Sequence, residues 1–247
     1  MAEKKSEVRL ISYTPNPEHL IADNARVCYA EDEDLQKIFS SQAKIDSIDD
    51  GRMIKIITSM NHLSPIEHAS YNFFIEGVSR AMTHQLVRHR LASYSQRSQR
   101  YVNHAKFGFI IPPSIKEAGL ENRYVEIMEQ IGEFHKEIAK GLEEKLGLKG
   151  ESKNQDSRYI LPNACETKIG MTMNARELLH FFSERLCNRA QWEIREVAEK
   201  MLKLVYPTAP NIFLNVGPAC IGSKCLQGKK TCGKAIEKKE YLQNLKK

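Results

Sequence analysis

The sequence predicts a protein of the α/β class, in the broad sense that includes α+β folds, with a sheet flanked by helices. Three short apolar segments that contain β-branched or aromatic residues, at 7–12, 70–77 and 167–173, are typical of strands. Between them, apolar residues recur at spacings of three or four, which indicates amphipathic helices. At 247 residues, of which 41% are hydrophobic, the chain is long enough to bury a sizeable core.

The N-terminal part contains the first strand, at 7–12, followed by predicted helices. A helix is expected over 18–29, after a proline-rich turn, and a more weakly helical acidic stretch over 30–50. A stronger helix is predicted over 50–61. It ends before Pro65, because the residue that precedes a proline is pushed out of the helical region.

The next helix begins after Ser79, whose side chain is suited to cap it. Gln85, Arg88 and His89 are spaced three and four apart, so we expect them to project from one helical face. The segment that follows, 91–98, is predicted to be a loop. Helix and loop together are expected to form one binding site.

That site lies in residues 85–101, which hold four arginines, one histidine, three serines, three glutamines and no acidic residue. Arginine presents a planar fork of donors that matches phosphate or carboxylate oxygens. A solvated basic face is the alternative explanation for such a run. The mixture with serine, glutamine and tyrosine, without lysine, favours a shaped site for a nucleotide.

The C-terminal half is predicted to be mainly helical. One long helix, or two, is expected over 117–146. Asn174 followed by Glu177 resembles a capping box and opens a helix over 174–187. The last regular helix is predicted over 191–205.

Arg185 is unusual because it lies on the apolar side of its helix. At about 100° per residue it falls within the stripe formed by Leu178, Phe181 and Phe182. An unpaired guanidinium there would cost several kcal/mol. Arg185 is therefore expected to have either a carboxylate partner or a ligand.

The distribution of charge argues against a broad polyanion-binding surface. The net charge is +6, but residues 224–247 hold eight lysines and two glutamates, so the rest of the chain is neutral overall. A small anionic ligand fits this pattern better than nucleic acid. An RNA- or nucleotide-binding module that stacks bases on Tyr94 and Tyr101 is the alternative.

The composition is that of a soluble globular protein. No apolar run approaches the roughly 20 residues needed to span a bilayer, so no membrane association is expected. The N-terminal residues lead directly into a strand-like segment, without the apolar core of a signal peptide. A cytoplasmic location is therefore expected.

The six cysteines form two groups. Three lie among apolar neighbours and are expected to be buried thiols: Cys28, Cys165 and Cys187. Three others lie close together near the C-terminus: Cys220, Cys225 and Cys232. These could bind zinc only with a fourth ligand from elsewhere, and their spacing is not that of a standard finger. The sequence favours reduced surface thiols, and no metal is assigned.

The usual cofactor motifs are missing from the sequence: there is no Gly-x-Gly-x-x-Gly, no Walker loop and no His-Glu-x-x-His. Instead, Arg88-His89-Arg90, seven residues and then Ser98 resemble the signature of the flavin-dependent thymidylate synthases. Other segments match this family in the same order: Pro65-x-Glu67-His68, Arg158-x-x-Leu161-Pro162, Asn174-Ala175-Arg176, Arg185 and Ala190-Gln191-Trp192-Glu193-Ile194. The resemblance covers about residues 7–206.

This resemblance implies a fold and an activity. The fold would be the family's own α/β type, a mixed sheet flanked by helices without a Rossmann unit. The activity would be conversion of dUMP to dTMP, with 5,10-methylenetetrahydrofolate as carbon donor and FAD, reduced by NADPH, as hydride donor. The family forms homotetramers with shared active sites. We expect a single catalytic domain over 1–215 and a Cys/Lys-rich tail over 216–247.

The resemblance also implies the site residues. Those expected to contact FAD are Ser70, Arg88, His89, Arg90, Gln96, Asn174, Ala175, Arg176 and His180. Those expected to contact dUMP are Gln85, Leu86, Val87, Arg88, Gln96, Arg97, Ser98, Gln99, Arg100, Arg158 and Arg185. Arg185 would be the catalytic residue, because buried positive charge stabilises a negative charge that develops on uracil.

Two positions depart from the family pattern, and two others carry a second interpretation. Gln96 stands where the family often has an acidic residue, and His180 where asparagine is common. His68 would lie near flavin and folate, with a core histidine as the alternative. Ser98 is assigned to phosphate binding and not to nucleophilic attack, because its neighbours are arginines and no histidine is clearly placed as its base.

Overall fold

The computed structural model describes residues 1–31, 36, 38, 47–102, 104 and 106–246. The strands are β1 Glu7–Tyr13, β2 Ser70–Ser79, β3 Ala92–Gln96 and β4 Glu166–Asn174. The helices are α1 Pro17–Val27, α2 Ser47–Ser59, α3 Arg80–Leu86, α4 Pro113–Glu117, α5 Glu121–Leu146, α6 Gly150–Ser157, α7 Ala175–Arg185, α8 Trp192–Val205, α9 Pro210–Phe213 and α10 Ala235–Leu245. Much of the weakly helical stretch predicted over 30–50 lies outside the described residues.

The chain forms two compact units, each assembled from separate stretches of sequence. The first unit consists of Met1–Glu7, Phe74–Arg88 and Tyr94–Gly170. The second consists of Val8–Phe73, His89–Ser93 and Met171–Lys247. The expected division into a catalytic domain over 1–215 and a tail over 216–247 stays a prediction.

The four strands form one sheet in the order β1-β2-β4-β3. In the second unit, the Thr14 amide donates to the Ser70 carbonyl at 3.0 Å, so the end of β1 meets the start of β2. In the first unit, the Arg97 amide donates to the Lys168 carbonyl at 2.9 Å, so the end of β3 meets the start of β4.

The middle pair of strands also runs in opposite directions. The Asn72 amide group donates to the Thr172 hydroxyl at 2.8 Å in the second unit. The Gly77 amide donates to the Glu166 carboxylate at 3.4 Å in the first unit. The α/β class with a helix-flanked sheet is confirmed, but these pairings are antiparallel and not mixed. Strand direction depends on long-range pairing, which residue patterns do not encode.

Two strands alternate between buried and less buried side chains, as expected when one face of a sheet covers a core. Tyr71 and Phe73 of β2, in the second unit, are fully buried. Ile169 of β4 in the first unit is fully buried, and Met171 and Met173 in the second unit are almost fully buried. The strands predicted over 70–77 and 167–173 are confirmed, and both show this alternation.

Helix α3 begins as predicted but ends earlier. The Ser79 hydroxyl accepts a hydrogen bond from the Met82 amide at 3.0 Å, which confirms the cap. The helix ends at Leu86, so the prediction that Gln85 and His89 share its face was wrong. Residues 92–96, predicted as part of a loop, form β3 because their backbone groups pair with β4. That pairing partner is about 70 residues away in sequence.

The start of α7 follows the predicted chemistry, and α8 begins with a similar cap. The Asn174 side-chain oxygen accepts from the Glu177 amide at 2.8 Å. Gln191 accepts from the amides of Glu193 and Ile194 at 3.1 and 3.3 Å. These bonds satisfy amides that have no partner within the helix, so both boundaries are set locally.

Each unit has its own apolar core. In the first unit, the core contains Phe107, Phe109, Ile111, Met128 and Cys165. In the second unit, the aromatic ring of Phe213 on α9 contacts Tyr71 and Phe182 edge-on, with ring centroids 5.8 and 6.1 Å apart. These contacts fix α7 against the second unit's part of the sheet and thereby position the residues that α7 carries.

The C-terminal helix α10 packs on the second unit. Leu242 is buried, and the buried Lys238 ammonium donates to the Glu199 carboxylate at 3.1 Å. The Tyr241 hydroxyl donates to the same carboxylate at 2.8 Å. The lysine-rich segment therefore includes a helix that is anchored on α8. Among the described helices, none is both long and apolar enough to cross a membrane.

Gly77 gives a test of how tightly the first unit's sheet is built. Its φ is +65°, and a Cβ atom there would lie 1.9 Å from the Lys5 carbonyl oxygen. We expect Gly77→Ala to lower the free energy of unfolding by about 2–4 kcal/mol, because backbone atoms must move. Gly119→Ala is the control: its φ is +71° but the space is open, so only about 1–2 kcal/mol is expected. Equal losses in urea denaturation would contradict the steric explanation.

Candidate active site

The two units divide the predicted site residues between them. The first unit contains Gln85, Leu86, Val87, Arg88, Gln96, Arg97, Ser98, Gln99, Arg100 and Arg158. The second contains Ser70, His89, Arg90, Asn174, Ala175, Arg176, His180 and Arg185. Residues expected to bind the substrate thus lie mainly in the first unit, and those expected to bind the cofactor lie mainly in the second.

Arg185 in the second unit is held by a histidine. Its Nε atom donates to Nε2 of His89 at 3.0 Å. Arg185 Nη2 also forms an ion pair with the Glu184 carboxylate at 3.8 Å, beyond hydrogen-bonding distance. The carboxylate partner predicted from the sequence is therefore present as this ion pair, whereas the hydrogen-bonded partner is an imidazole. With Nε engaged, the Nη groups remain as donors for a ligand.

His89 is buried and packs edge-on against Phe181, with ring centroids 5.0 Å apart. Burial lowers the pKa of His89 to about 4, and the charge of Arg185 contributes to the same direction. Glu184 opposes this shift. His89 is therefore neutral near pH 7, and a neutral imidazole nitrogen can accept the Arg185 hydrogen bond.

The lowered pKa of His89 predicts a loss of stability in acid. The unfolded chain binds the proton with an ordinary pKa of about 6.5, whereas the folded chain resists it until about pH 4. The contribution of His89 is therefore fully present above pH 6.5 and declines as the pH falls toward 4. Between pH 7.5 and 5 we expect about 2 kcal/mol of loss from this group.

Chemical denaturation at the two pH values measures that loss. His89→Asn should reduce the difference between pH 7.5 and 5, because asparagine has no proton to bind. His84→Asn, at an exposed position on α3, is the matched control and should leave the difference unchanged. An undiminished acid loss in His89→Asn would rule out His89 as its source.

Arg176 borders an apolar cavity in the second unit. Its guanidinium forms an ion pair with Glu67, and both side chains are about half exposed, at 49% and 46%. The cavity has a volume of about 530 Å³, and its lining includes the apolar residues Ile57, Leu63 and Pro65. It therefore combines an apolar wall with a positive charge at one edge.

Other cofactor candidates in the second unit are mostly exposed. Ser70, Arg90 and His180 are accessible to a ligand. Ala175 is fully buried, and its amide donates to the Ala69 carbonyl at 2.7 Å. His68 is also exposed, so the interpretation of His68 as a core histidine is wrong.

In the first unit, Gln96 and Ser98 are oriented by local hydrogen bonds. The Gln96 amide group donates to the hydroxyls of Thr83 and Thr167 at 2.9 and 3.3 Å. The Ser98 hydroxyl oxygen accepts from the Arg100 and Tyr101 amides. The Ser98 hydroxyl proton remains able to donate to an anion.

The first unit adds one cation that the sequence interpretation missed. Burial lowers the pKa of Arg80, and the positive charge of Arg158 lowers it further, so these two guanidiniums are close enough to repel. Arg100 pairs with Glu151 at 2.5 Å. Arg80 starts helix α3, where the helix dipole disfavours a cation. That unfavourable position was the sequence signal for a functional arginine.

The first unit contains a cavity with a volume of about 430 Å³, and Arg97 lines it. Lys168 and His104 also line it. His104 is buried, and its Nε2 atom has no hydrogen-bond partner among the residues that the structure describes. Burial and the charge of Arg97 both lower the pKa of His104, so the imidazole is held neutral.

Two of the three cysteines that were predicted to be buried are not. Cys165 is buried as predicted, and burial raises the pKa of its thiol to about 11, which makes it a poor nucleophile. Cys28 is exposed, so the prediction that it is buried was wrong. Its helix α1 ends at Val27, which leaves the thiol outside the packed face. Cys187 is half-buried.

Comparisons with known proteins agree with the signature residues. Residues 9–211 match the family described as thymidylate synthase complementing protein. A flavin-dependent thymidylate synthase of Clostridium tetani is 46% identical, over 96% of this chain and 97% of the relative. Another, of Geobacter sulfurreducens, is 43% identical, over 97% of this chain and 99% of the relative.

A solved structure has a similar fold. It is a UMP/dUMP methylase from Streptomyces cacaoi bound with 5-Br dUMP. The TM-score is 0.68 at 22% identity, with 85% of this chain and 94% of the other covered. Together with the near full-length matches in sequence, the Arg-His-Arg-x7-Ser segment and the residues around Arg185 show that this chain belongs to the flavin-dependent thymidylate synthase family.

Proposed function

We propose that this chain catalyses the reductive methylation of dUMP to dTMP. The carbon donor is 5,10-methylenetetrahydrofolate, and the hydride donor is FAD that NADPH has reduced. The observation that carries the proposal is the half-buried Arg185, held by a neutral histidine within a chain that matches this family over nearly its full length. The hydrogen bond to His89 orients the Arg185 guanidinium before the substrate binds.

The dUMP phosphate is bound by the first unit. The phosphate is close to a dianion near neutral pH, and Ser98, Arg100 and Arg158 supply a hydroxyl and charged donors. Arg80 adds a second guanidinium beside Arg158. An anion between these arginines removes their repulsion. The remaining substrate contacts are assigned to Gln85, Leu86, Val87, Arg88, Gln96, Arg97 and Gln99.

FAD is bound mainly by the second unit. A flavin needs apolar walls for its ring system and cations for its pyrophosphate, and the cavity at Arg176 offers both. Arg88 and Arg90 supply further positive charge without a glycine-rich loop. When bound, the flavin supplies the hydride. Ser70, His89, Asn174, Ala175 and His180 are the other residues assigned to it, with Gln96 shared between both ligands.

Arg185 stabilises the negative charge that develops on uracil when its N3 proton is lost. Its charge acts strongly there because its side chain is only 20% exposed. His89 positions it by accepting the Nε hydrogen bond, which directs the Nη groups away from the imidazole. No cysteine nucleophile is required for this chemistry.

The protein acts as a homotetramer with shared active sites, in the cytoplasm. Support comes from large apolar side chains exposed beside the signature residues. Tyr101 in the first unit is 68% exposed, and Leu91 in the second is 74% exposed. Association of further copies would cover such side chains.

An RNA- or nucleotide-binding module that uses residues 88–101 is the alternative, and colour and isotope release distinguish the two. The enzyme is expected to purify yellow with FAD, and to release tritium to water from dUMP labelled at C5, because methylation replaces that hydrogen. A colourless protein that binds oligonucleotides with a steep salt dependence and releases no tritium would refute the proposed function.

A further inference from the structure

Four cysteines of the second unit are drawn together at the end of α7. Cys187 follows the helix by two residues, and it lines a cavity of about 520 Å³ with Cys220 and Cys225. Cys232 lies near them but lines a different cavity with Asn188, whose side-chain amide donates to the Cys232 sulfur at 3.8 Å. Asn188 is the residue next to Cys187. The structure thus supplies the fourth thiol that the three C-terminal cysteines lacked.

Hydrogen-bond donors of the chain contact two of these sulfurs. The Arg189 amide donates to the Cys187 sulfur at 3.5 Å, from two positions further along the chain. The Thr231 side chain and the Gln227 backbone donate hydrogen bonds to the Cys225 sulfur. Gln227 lies two positions after Cys225, as Arg189 lies two positions after Cys187. Two of the four sulfurs therefore accept a hydrogen bond from the backbone amide two residues further along the chain.

Electrostatics shows that the four groups interact with one another. Cys225, Cys187 and Cys232 are each close enough to Cys220 to repel a negative charge on its sulfur. Four thiolates in one place repel, so a divalent cation that binds them removes that repulsion. Arg189, at the cavity, adds positive charge that offsets the negative charge of a tetrathiolate complex.

We propose that Cys187, Cys220, Cys225 and Cys232 bind one zinc ion as a closed structural site. Zinc is the divalent ion that four thiolate ligands favour, in tetrahedral geometry. Each thiol releases its proton to solvent as its sulfur binds the metal. The site joins the segment after α9 to the end of α7, and it lies at the same cavity as Arg185.

Binding must contract the segment that carries three of the ligands. Where three potential ligand atoms of the described residues lie within 4.8 Å of one another, none of them is a cysteine sulfur. The four sulfurs are therefore not yet at the spacing of a metal site. Gly222, Gly228 and Gly233 lie in this segment. A Cβ atom added to any of the three would have no atom of the described residues within 4 Å, apart from its immediate neighbours. The segment therefore has room to close around an ion.

Cobalt binding tests the proposal on the full-length, flavin-loaded protein under reducing conditions. Co²⁺ is expected to bind once per chain and to give the visible bands of a tetrahedral tetrathiolate, at longer wavelengths than flavin absorption. Added Zn²⁺ should abolish these bands by displacement. Absence of the bands in a folded, fully reduced protein would overturn the proposal.

Variants identify the ligands. Cys232→Ser, at an exposed position, should weaken Zn²⁺ affinity by more than the roughly 100-fold that changes outside the ligand shell cost. Cys187→Ser should have the same effect, which separates this site from one formed by the three C-terminal thiols alone. Cys28→Ser, another exposed thiol, is the matched control and should retain full affinity. Unchanged metal binding in Cys187→Ser would show that the proposed ligand set is wrong.

Discussion

Arg185→Ala is expected to lower kcat by about 10³-fold while FAD remains bound. The loss follows because alanine removes the positive charge that stabilises the uracil anion, and one preorganised donor of this kind is worth about 10²–10³ in rate. The residues proposed to bind the flavin are others, mainly Arg88, Arg90 and Arg176. Turnover is measured by tritium release from C5-labelled dUMP, and bound FAD by its visible absorption.

Two further variants sharpen that test. Arg185→Lys keeps the charge but loses the planar fork whose Nε donates to His89, so it should remain strongly impaired. Arg123→Ala is the matched control, because Arg123 is exposed on α5, where it pairs with the exposed Glu126. It should retain full activity. Loss of FAD together with turnover in Arg185→Ala would show that Arg185 belongs to the cofactor site.

Arg158→Ala is expected to lower kcat/KM for dUMP by about 10- to 100-fold, mainly through a higher KM. A hydrogen bond to a charged group contributes about 1.5–3 kcal/mol, and each 1.4 kcal/mol is tenfold. Removing Arg158 also relieves its repulsion of Arg80, so the folded protein should not lose stability through this charge. Steady-state kinetics and thermal unfolding measure the two effects.

Deoxyuridine, which lacks the phosphate, shows whether Arg158 acts on that group. The unmodified protein and Arg158→Ala should differ little in their affinity for deoxyuridine, because this ligand has no phosphate for Arg158 to bind. Arg80→Ala should show the same selectivity for dUMP over deoxyuridine if the two arginines share one anion. Equal weakening of both ligands by Arg158→Ala would place Arg158 away from the phosphate.

Local chemistry made several features of the fold predictable. The caps at Ser79, Asn174 and Gln191 depend on residues within three positions, and all three are observed. The strands at 70–79 and 166–174 alternate in burial as their sequences indicate. Helix α3 was predicted too long because its end is set by the pairing of β3 with β4, a contact between distant segments.

The candidate site was predictable to the extent that the chemical types of its residues follow from the sequence. The run of arginines at 88–100 indicated an anion site, and the order of the flanking segments indicated the family. The contribution of Arg80 was missed, because its nearness to Arg158 depends on the folded first unit. The role of Cys187 was missed for a similar reason, since it lies 33 residues before Cys220 in the chain.

The sequence by itself determined the class of fold, several helix starts and the family, and it predicted which residues bind anions. Those features depend on side-chain chemistry and on spacings of a few residues. Only the tertiary structure decided that the sheet is antiparallel, that Arg185 is held by a neutral His89, and that a fourth thiol joins the C-terminal three. Each of these depends on burial and on contacts between residues far apart in the chain, which exist only after folding.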